Sequence, residues 1–557
     1  MIRVLPGLEW IRGYRRGWLR GDLLAGLTVA AYLVPQVMAY AGLAGLPPVT
    51  GLWAILLPLA VYALLGSSRH LSIGPESTTA LMTATVVAPL AAGDPARYAT
   101  LAATLAVVVG GLALVAWATR LGFLADLLSR PILVGYMAGV ALIMMAGQLG
   151  KLTGVPVDGD TFFGQVASFF RGMDDAHGGT LLFAIAVLAF LFVVQWRLPG
   201  LPGPLLAVLL ATAAVALFDL EARGIGVVGD VPSGLPTPIL PDLGDLSDLL
   251  LPAVGVLVVG YTDTVLTARS FADRAGYRVD ANQELLALGT ANIGAGLLRG
   301  FPISSSGSRT ALGAAAGSRS QAYSLVALAV VVGVLLFLGP LLERFPSAAL
   351  GAIIVYAAVR LIDVPGFRRL AAFRNTEFAL ALAACAGVLI FDILYGILVA
   401  VGLSVAETLY RVARPHDAVQ GFVPGLAGMH DIDDYPQAET VPGLVVYRYD
   451  SPLFFANAGD FRRRALAAVE GQEGPVDWFV LNAEANVEVD STALDAVEQL
   501  RKELTGRGVV FALARVKQDL RDDLDRFGLS AAVGEDLIFP TLPTAVEAYK
   551  AWRESRT

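Results

Sequence analysis

The chain has 557 residues and a formal net charge of −8, with 56% hydrophobic and only 16% charged residues. Soluble chains of this size carry about a quarter charged residues, and the acidic balance offers no basic face for nucleic acid. One cysteine, Cys385, and four histidines at no ligand spacing exclude intramolecular disulfides and a cysteine- or histidine-built metal site.

The deficit of charge is uneven. Apolar runs recur from about Leu23 to Leu409, and charge returns after Arg414. A polytopic membrane domain is therefore expected to precede a soluble one. Residues 1–21 carry arginines but no compact apolar core with a cleavage site, so they read as a cytoplasmic lead-in and not a signal peptide. Candidate spans follow near 22–42, 49–66, 72–91, 98–118, 130–149, 180–196, 203–220, 247–268, 283–298, 304–316, 321–341, 346–361, 376–392 and 393–411. The last two form one long hairpin split at "FDILYG". With the amino terminus inside, one side receives Arg69, Arg120, Arg130, Arg197, Arg269, Arg278, Arg360 and several more, the other only Arg97, Lys151, Arg171, Arg223, Arg299 and Arg344. That asymmetry predicts both termini in the cytoplasm.

The first span, "TVAAYLVPQVMAYAGLAGLPP", holds Pro35, whose ring breaks the helix ladder and frees a carbonyl. Gln36 and Tyr40 add hydrogen-bonding groups one turn apart; packing around a proline kink is the plainer account of them. Two later stretches invite comparison: "LLGSSRHLSIGPESTTALMTA" (Leu64–Ala84) and "LLRGFPISSSGSRTALGAA" (Leu297–Ala315). Both are polar, glycine-bearing approaches to an apolar helix, and each falls in the third span of a block of seven. An odd number of spans per block turns the second block upside down, giving inverted repeats of about 22–220 and 247–411. Matching polar breaks in two halves point to a transporter's binding site.

An arginine at membrane depth costs roughly 2.5–3.5 kcal/mol on insertion scales, so Arg309 is expected to face a cavity or an anion. If both stretches start half-helices aimed at each other, their free N–H groups and the hydroxyls of Ser77, Ser306 and Ser308 form a cup for a small oxyanion. Gly74 and Gly307 would let backbone approach it. Serines that merely satisfy backbone at a helix break are the bland alternative. Glu76 and Asp263 are the acids most clearly inside spans, with Thr267 one turn beyond Asp263. Such carboxylates carry a proton, hold Na⁺, or pair with Arg269 or Arg309.

In the tail, 434–557, strand-like and helix-like stretches alternate, predicting a small α/β domain after a linker at 415–433. "VEVDSTALDAVEQL" places Ser491 and Thr492 at a strand–helix junction; a helix cap by Asp490 or Ser491 is favoured there.

"PQVMAYAGLAGLPPVTGLW", "SIGPES", "VDANQELLALGTANIGAGL" and "FPISSSGSRTAL" together resemble the signature segments of the SulP (sulfate permease) family of anion transporters, and the tail resembles its STAS domain. The resemblance covers nearly the whole chain. It implies fourteen transmembrane helices in two inverted seven-helix repeats at 22–414, a core domain moving against a gate domain in elevator-like alternating access, and a homodimer. It places Ser306, Ser308 and Arg309 at the substrate, Gly74, Glu76 and Ser77 opposite, and Gln36 and Tyr40 along the cavity. Asp263 and Thr267 fall where cation-coupled members hold sodium. Glu76 departs from the animal members; an acid beside an anion site repels substrate unless protonated. In related anti-sigma antagonist domains this strand–helix junction holds a phosphorylatable Ser/Thr, and Ser491 and Thr492 occupy that region here.

The combined expectation is a secondary active transporter in the cell inner membrane, moving sulfate, bicarbonate or a dicarboxylate such as fumarate by H⁺-coupled symport. A Na⁺-coupled bicarbonate symporter, an uncoupled exchanger or channel, and a membrane-anchored STAS signalling protein with cytoplasmic partners are the alternatives. No nucleophile–base constellation, phosphate loop or metal cluster suggests an enzyme, and no cofactor beyond the transported ions is expected.

Overall fold

The computed structural model describes residues 5–556 apart from 127–128, 158, 160, 199–200, 230, 233 and 242–243. The chain divides into two compact units, Met1–Ser404 and Val405–Thr557.

The first unit is almost entirely helical. Among the described residues five segments are long and apolar enough to cross a membrane: Arg16–Leu43, Pro95–Ala118, Gly178–Arg197, Leu246–Asp273 and Ser347–Phe373, the last built of two helices, Ser347–Leu361 and Val364–Phe373. Shorter apolar helices include Val49–Leu65, Ser77–Ala91, Arg130–Ala146, Gly203–Leu217 and Ala322–Phe337. Local signals set their ends. Asp94 accepts from the backbone N–H groups of Ala96 and Arg97 while Pro95 takes the first helical position, where its missing donor costs nothing. Where helices touch, small residues let backbones meet. A Cβ on Gly110, in Pro95–Ala118, would lie 2.6 Å from the carbonyl oxygen of Gly289 in the helix Ala281–Leu297.

Two amphipathic helices, Phe162–Arg171 and Val364–Phe373, escape a hydropathy reading. They are short, with polar residues on one face, and are capped by the side chains of Thr161 and Asp363. The hairpin expected at 376–411 needs refinement. Helical residues run from Asn375 to Ala413 without a non-helical turn. Yet a Cβ on Gly396 would lie 2.8 Å from Cα of Val388, whereas eight residues of straight helix would separate them by about 12 Å. The chain therefore doubles back between them inside helical backbone.

Two two-residue strands, β1 (Ile73–Gly74) and β2 (Ser304–Ser305), pair antiparallel, Ile73 opposite Ser305 and Gly74 opposite Ser304. They lead directly into the helices Ser77–Ala91 and Gly307–Ala315.

The second unit is an α/β domain around a six-stranded sheet. Its strands are β3 (Asp417–Phe422), β4 (Met429–Asp431), β5 (Leu444–Tyr449), β6 (Trp478–Asn482), β7 (Val510–Ala514) and β8 (Ile538–Phe539), in the order β4-β3-β5-β6-β7-β8. From β5 to β8 neighbours are parallel; β3 runs antiparallel to β4 and β5. Residues 415–433 are thus no linker. Their polar sequence hides two strands that cover the β5 edge, and the buried Gln420 accepts a 2.7 Å bond from Asn482. Both faces of the sheet are covered. Tyr447, Phe461, Phe479 and Leu500 pack on one, Val446, Trp478, Val480 and Tyr549 on the other.

Candidate functional site

The site grows from the two polar approaches to Ser77–Ala91 and Gly307–Ala315. Two-residue strands cannot satisfy their own backbone, and at membrane depth unpaired groups are expensive. The chain supplies partners from elsewhere. Ser306 N–H donates to the carbonyl of Ser72 at 2.8 Å. Ser72 N–H donates to the Thr310 hydroxyl at 3.0 Å. Asn292, fully buried, accepts from Ile303 N–H at 2.9 Å and donates to the Ile303 carbonyl at 3.1 Å. These bonds fix both helix starts. Gly74 is needed where it sits, because its φ is +148° and a Cβ would come 2.6 Å from Ile55 and 3.3 Å from Nη2 of Arg309.

Arg309 is completely buried. Its Nη1 donates to Oε1 of Gln36 and to the carbonyl of Pro75, both at 3.0 Å, and its Nε reaches the Ser72 hydroxyl at 3.4 Å. Nη2 has no partner among the described residues. The guanidinium therefore ties together the first helix, the Ser72–Pro75 segment and the Gly307–Ala315 helix.

In front of that brace lies a cavity of about 270 Å³, whose lining includes Gln36, Tyr40, Glu76, Ser77, Gly307 and Ser308. Asp263, Thr78, Ser305, Tyr32, Tyr356 and Arg360 also line it. An adjacent pocket of about 190 Å³ shares Tyr32, Ser308, Ala311, Tyr356 and Arg360 as lining residues. Two carboxylates and several hydroxyls face the space. Ser77 donates to Oε1 of Glu76 at 2.8 Å, while Oε2 of Glu76 is buried without a partner among the described residues. Ser305 donates to Oδ2 of Asp263 at 2.9 Å. Ser306 and Ser308 hydroxyls sit 3.2 Å apart, and Gln36 donates to the Tyr40 hydroxyl at 3.0 Å.

Of the residues expected at the site, Gln36, Tyr40, Glu76, Ser77, Gly307, Ser308 and Asp263 line one cavity. Gly74, Ser306 and Arg309 stand behind its wall, Ser306 accepting from Arg309 N–H at 3.5 Å as helix cap. The resemblance puts Arg309 at the substrate; three protein acceptors take up its Nη1 and Nε, and its Nη2 is left without a partner among the described residues. Thr267 is half-buried and not among the lining residues. In the second unit Ser491 and Thr492 are exposed in the first turn of Ser491–Gly506, and the cap is Asp490, which accepts from Ala493 N–H at 2.8 Å.

Sequence reasoning misses Tyr32, Tyr356 and Arg360. Tyr32, Gln36 and Tyr40 repeat at helical spacing of four, so that stripe is available to be read. Arg360 donates to the Tyr356 hydroxyl at 3.1 Å and to Gln195 at 3.4 Å. In the sequence it stands out only as a charge on the cytoplasmic side. Gly307 is open on its Cβ side, with nothing within 4 Å of a built Cβ. Backbone is thus presented to the cavity.

The sequence model of the Sulfate permease family matches residues 19–384, and that of the STAS domain matches residues 435–545. A probable sulfate transporter of Mycobacterium tuberculosis is 61% identical over 547 residues, covering 98% of both chains. Sulfate transporter 1.3 of Arabidopsis thaliana is 31% identical over 574 residues, covering 98% of this chain and 87% of its own. Among solved structures, the murine Slc26a9 anion transporter in its inward-facing state superposes with a TM-score of 0.91 at 24% identity, covering 98% of this chain and 94% of its own. The transmembrane domain of the cyanobacterial bicarbonate transporter BicA gives 0.61 at 22% identity, covering 70% of this chain and 98% of its own. These two likenesses concern the fold. Family match, near full-length relatives and a polar cavity at paired helix starts converge: the chain belongs to the sulfate permease family of membrane anion transporters and ends in a STAS domain.

Proposed function

We infer that this chain is a secondary active transporter that takes up sulfate together with protons through the cavity between the two helix starts. The observation that carries the reading is the pairing of opposite demands in one space. The starts of Ser77–Ala91 and Gly307–Ala315, with Ser77, Thr78 and Ser308, offer the donors an oxyanion needs. Glu76 and Asp263 line the same cavity. Two ionised carboxylates repel an anion; protonated, they do not. Binding of the anion is therefore favoured by prior proton binding, which is the thermodynamic content of symport. The relatives named as sulfate transporters supply the choice of anion.

Inverted repeats and alternating access complete the reading. Their support is the antiparallel pairing of β1 with β2 at matching polar breaks and the placement of the cavity beside that pair. The arginine asymmetry supports cytoplasmic termini.

The test is uptake of labelled sulfate into proteoliposomes with an inward proton gradient, an inward sodium gradient, or neither. Proton-driven sulfate uptake is expected. Uptake driven only by sodium would reassign the Asp263–Ser305 pair to a sodium site. Sulfate uptake that ignores both gradients would leave exchange, and bicarbonate or fumarate in place of sulfate would change the cargo.

A further inference from the structure

Away from the transport cavity, the first unit carries a second pocket of about 300 Å³. Trp10 and Trp18 of the amino-terminal segment wall it, with Arg69 after the helix Val49–Leu65, Tyr277 and Arg278 after Leu246–Ala275, and Arg319 after Gly307–Ala315. Three arginines from three separate loops, all with exposed side chains, thus line one pocket, and among the described residues no carboxylate lines it. Among the described residues none of the three has an ion pair within 4.0 Å. Two acids near these loops are already committed. Asp22 accepts from the backbone N–H groups of Arg319 and Ser320 and from the Ser320 hydroxyl. Glu284 accepts from Tyr62 and from both the N–H and the hydroxyl of Ser67. In the neighbouring loop His70 is held below its ordinary pKa, chiefly by burial and next by Arg69 and Arg319, against the opposing pull of Asp22.

The pocket is built. The Tyr277 hydroxyl accepts from Arg69 N–H at 3.1 Å, and the Arg69 guanidinium lies 5.2 Å from the centre of the Tyr277 ring. Trp10 donates its ring N–H to the Ala63 carbonyl at 2.8 Å, pinning the amino-terminal segment against the end of Val49–Leu65. Trp10, Tyr14 and Trp18 meet edge to face, at 6.2 and 5.8 Å between ring centres. Beside them Ile11 and Leu19 are exposed, as are Arg12, Arg15, Arg16 and Arg20. Aromatic rings among exposed apolar and cationic side chains next to a membrane helix are the composition of the headgroup layer.

We propose that this pocket binds a phosphate group, with Arg69, Arg278 and Arg319 taking its anionic oxygens. Arginine forks match a tetrahedral oxyanion with paired donors, and a phosphodiester of an anionic phospholipid reaches the site at headgroup depth. A phospholipid headgroup and free inorganic phosphate share this chemistry, and the experiment separates them.

Full-length protein in detergent would be titrated with phosphatidylglycerol or phosphatidylcholine, with and without millimolar inorganic phosphate, and bound lipid counted by native mass spectrometry. Wild type is compared with the triple variant Arg69→Gln/Arg278→Gln/Arg319→Gln and with a surface variant, Arg12→Gln/Arg16→Gln/Arg20→Gln. The expected result is preferential retention of phosphatidylglycerol by wild type and by the surface variant, weakened about tenfold or more in the triple variant, the size of losing charge-assisted bonds. Inorganic phosphate that displaces the lipid, and protects wild type but not the triple variant against heat, would keep the phosphate site and make free phosphate its occupant. Equal lipid retention by wild type and triple variant without phosphate protection overturns the proposal. So does equal loss in the surface variant, which would mean diffuse charge. Should the triple variant not fold, Arg278→Gln alone serves, since Arg69 packs on Tyr277 and the backbone N–H of Arg319 is bonded to Asp22; it is expected to weaken binding several-fold, and an unchanged affinity counts against the site.

Discussion

Two stretches with the same Thr-Ala-Leu tripeptide and similar polar approaches end in opposite chemistry. At the first, Glu76 precedes its helix, makes no side-chain capping bond, lines the cavity and keeps one buried oxygen without a partner among the described residues. At the second, Ser306 caps the helix, and Nη1 and Nε of Arg309 bind Gln36, Pro75 and Ser72 while its Nη2 has no partner among the described residues. One helix start is left reactive and the other is made rigid. Arg309 ties the two helix starts to the first helix, and Glu76 lines the cavity beside them.

The largest effect should come from the rigid side. Arg309→Ala strips donors from Oε1 of Gln36 and the Pro75 carbonyl, and hydrogen bonds to a charged group contribute about 1.5–3 kcal/mol each. Loss of sulfate uptake together with a fall of several degrees in Tm is expected. Arg309→Lys keeps the charge but cannot fork between Gln36 and Pro75, so it should restore part of the stability. Loss of uptake with an unchanged Tm would break the comparison, because the arginine would then act on the anion alone.

The glycines at the two helix starts sharpen the same contrast. Gly74→Ala places a methyl 2.6 Å from Ile55 at φ +148°, a strain of about 1–3 kcal/mol. It should lower Tm and separate β1 from β2. Gly307→Ala meets nothing within 4 Å, so stability should move by less than about 0.5 kcal/mol. Its methyl enters the cavity, and KM for sulfate is the quantity expected to rise. Equal Tm losses in the two variants would mean that both glycines are structural.

Glu76→Gln probes the reactive side. The amide keeps the hydrogen-bonding shape and cannot release a proton. Proton-driven accumulation should collapse while sulfate–sulfate exchange across the vesicle wall persists. Persistence of accumulation would move coupling to Asp263, which lines the same cavity.

How much of this is legible in the sequence follows from the kind of signal each part leaves. Long apolar runs and the two polar breaks stand out, because both depart sharply from their surroundings. The cup is legible as a set of serines, yet the side on which Arg309 falls is not. That depends on Ser72 and the Pro75 carbonyl, neighbours only folding supplies. β3 and β4 hide in a stretch too polar to read as strand, since Gln420 and Asp431 are buried there by specific bonds. Arg360 looks like one more charge at a helix end.

Arg360 gives the smallest and last test. It lines both pockets, donates to Tyr356 and Gln195, and its side chain is exposed. Solvent screens such a charge, so its attraction for an anion should be worth about 1 kcal/mol or less. Arg360→Ala should raise KM for sulfate about threefold to fivefold, leave maximal uptake and Tm unchanged, and make KM less sensitive to ionic strength, since a charge that gathers ions is weakened by salt. Tyr356→Phe removes only the hydroxyl that holds the guanidinium and should give a smaller rise. If Arg360→Ala instead abolishes uptake at unchanged Tm, the anion's cationic partner is Arg360, and the asymmetry between the two helix starts governs the scaffold while the Tyr356–Arg360 helix carries recognition.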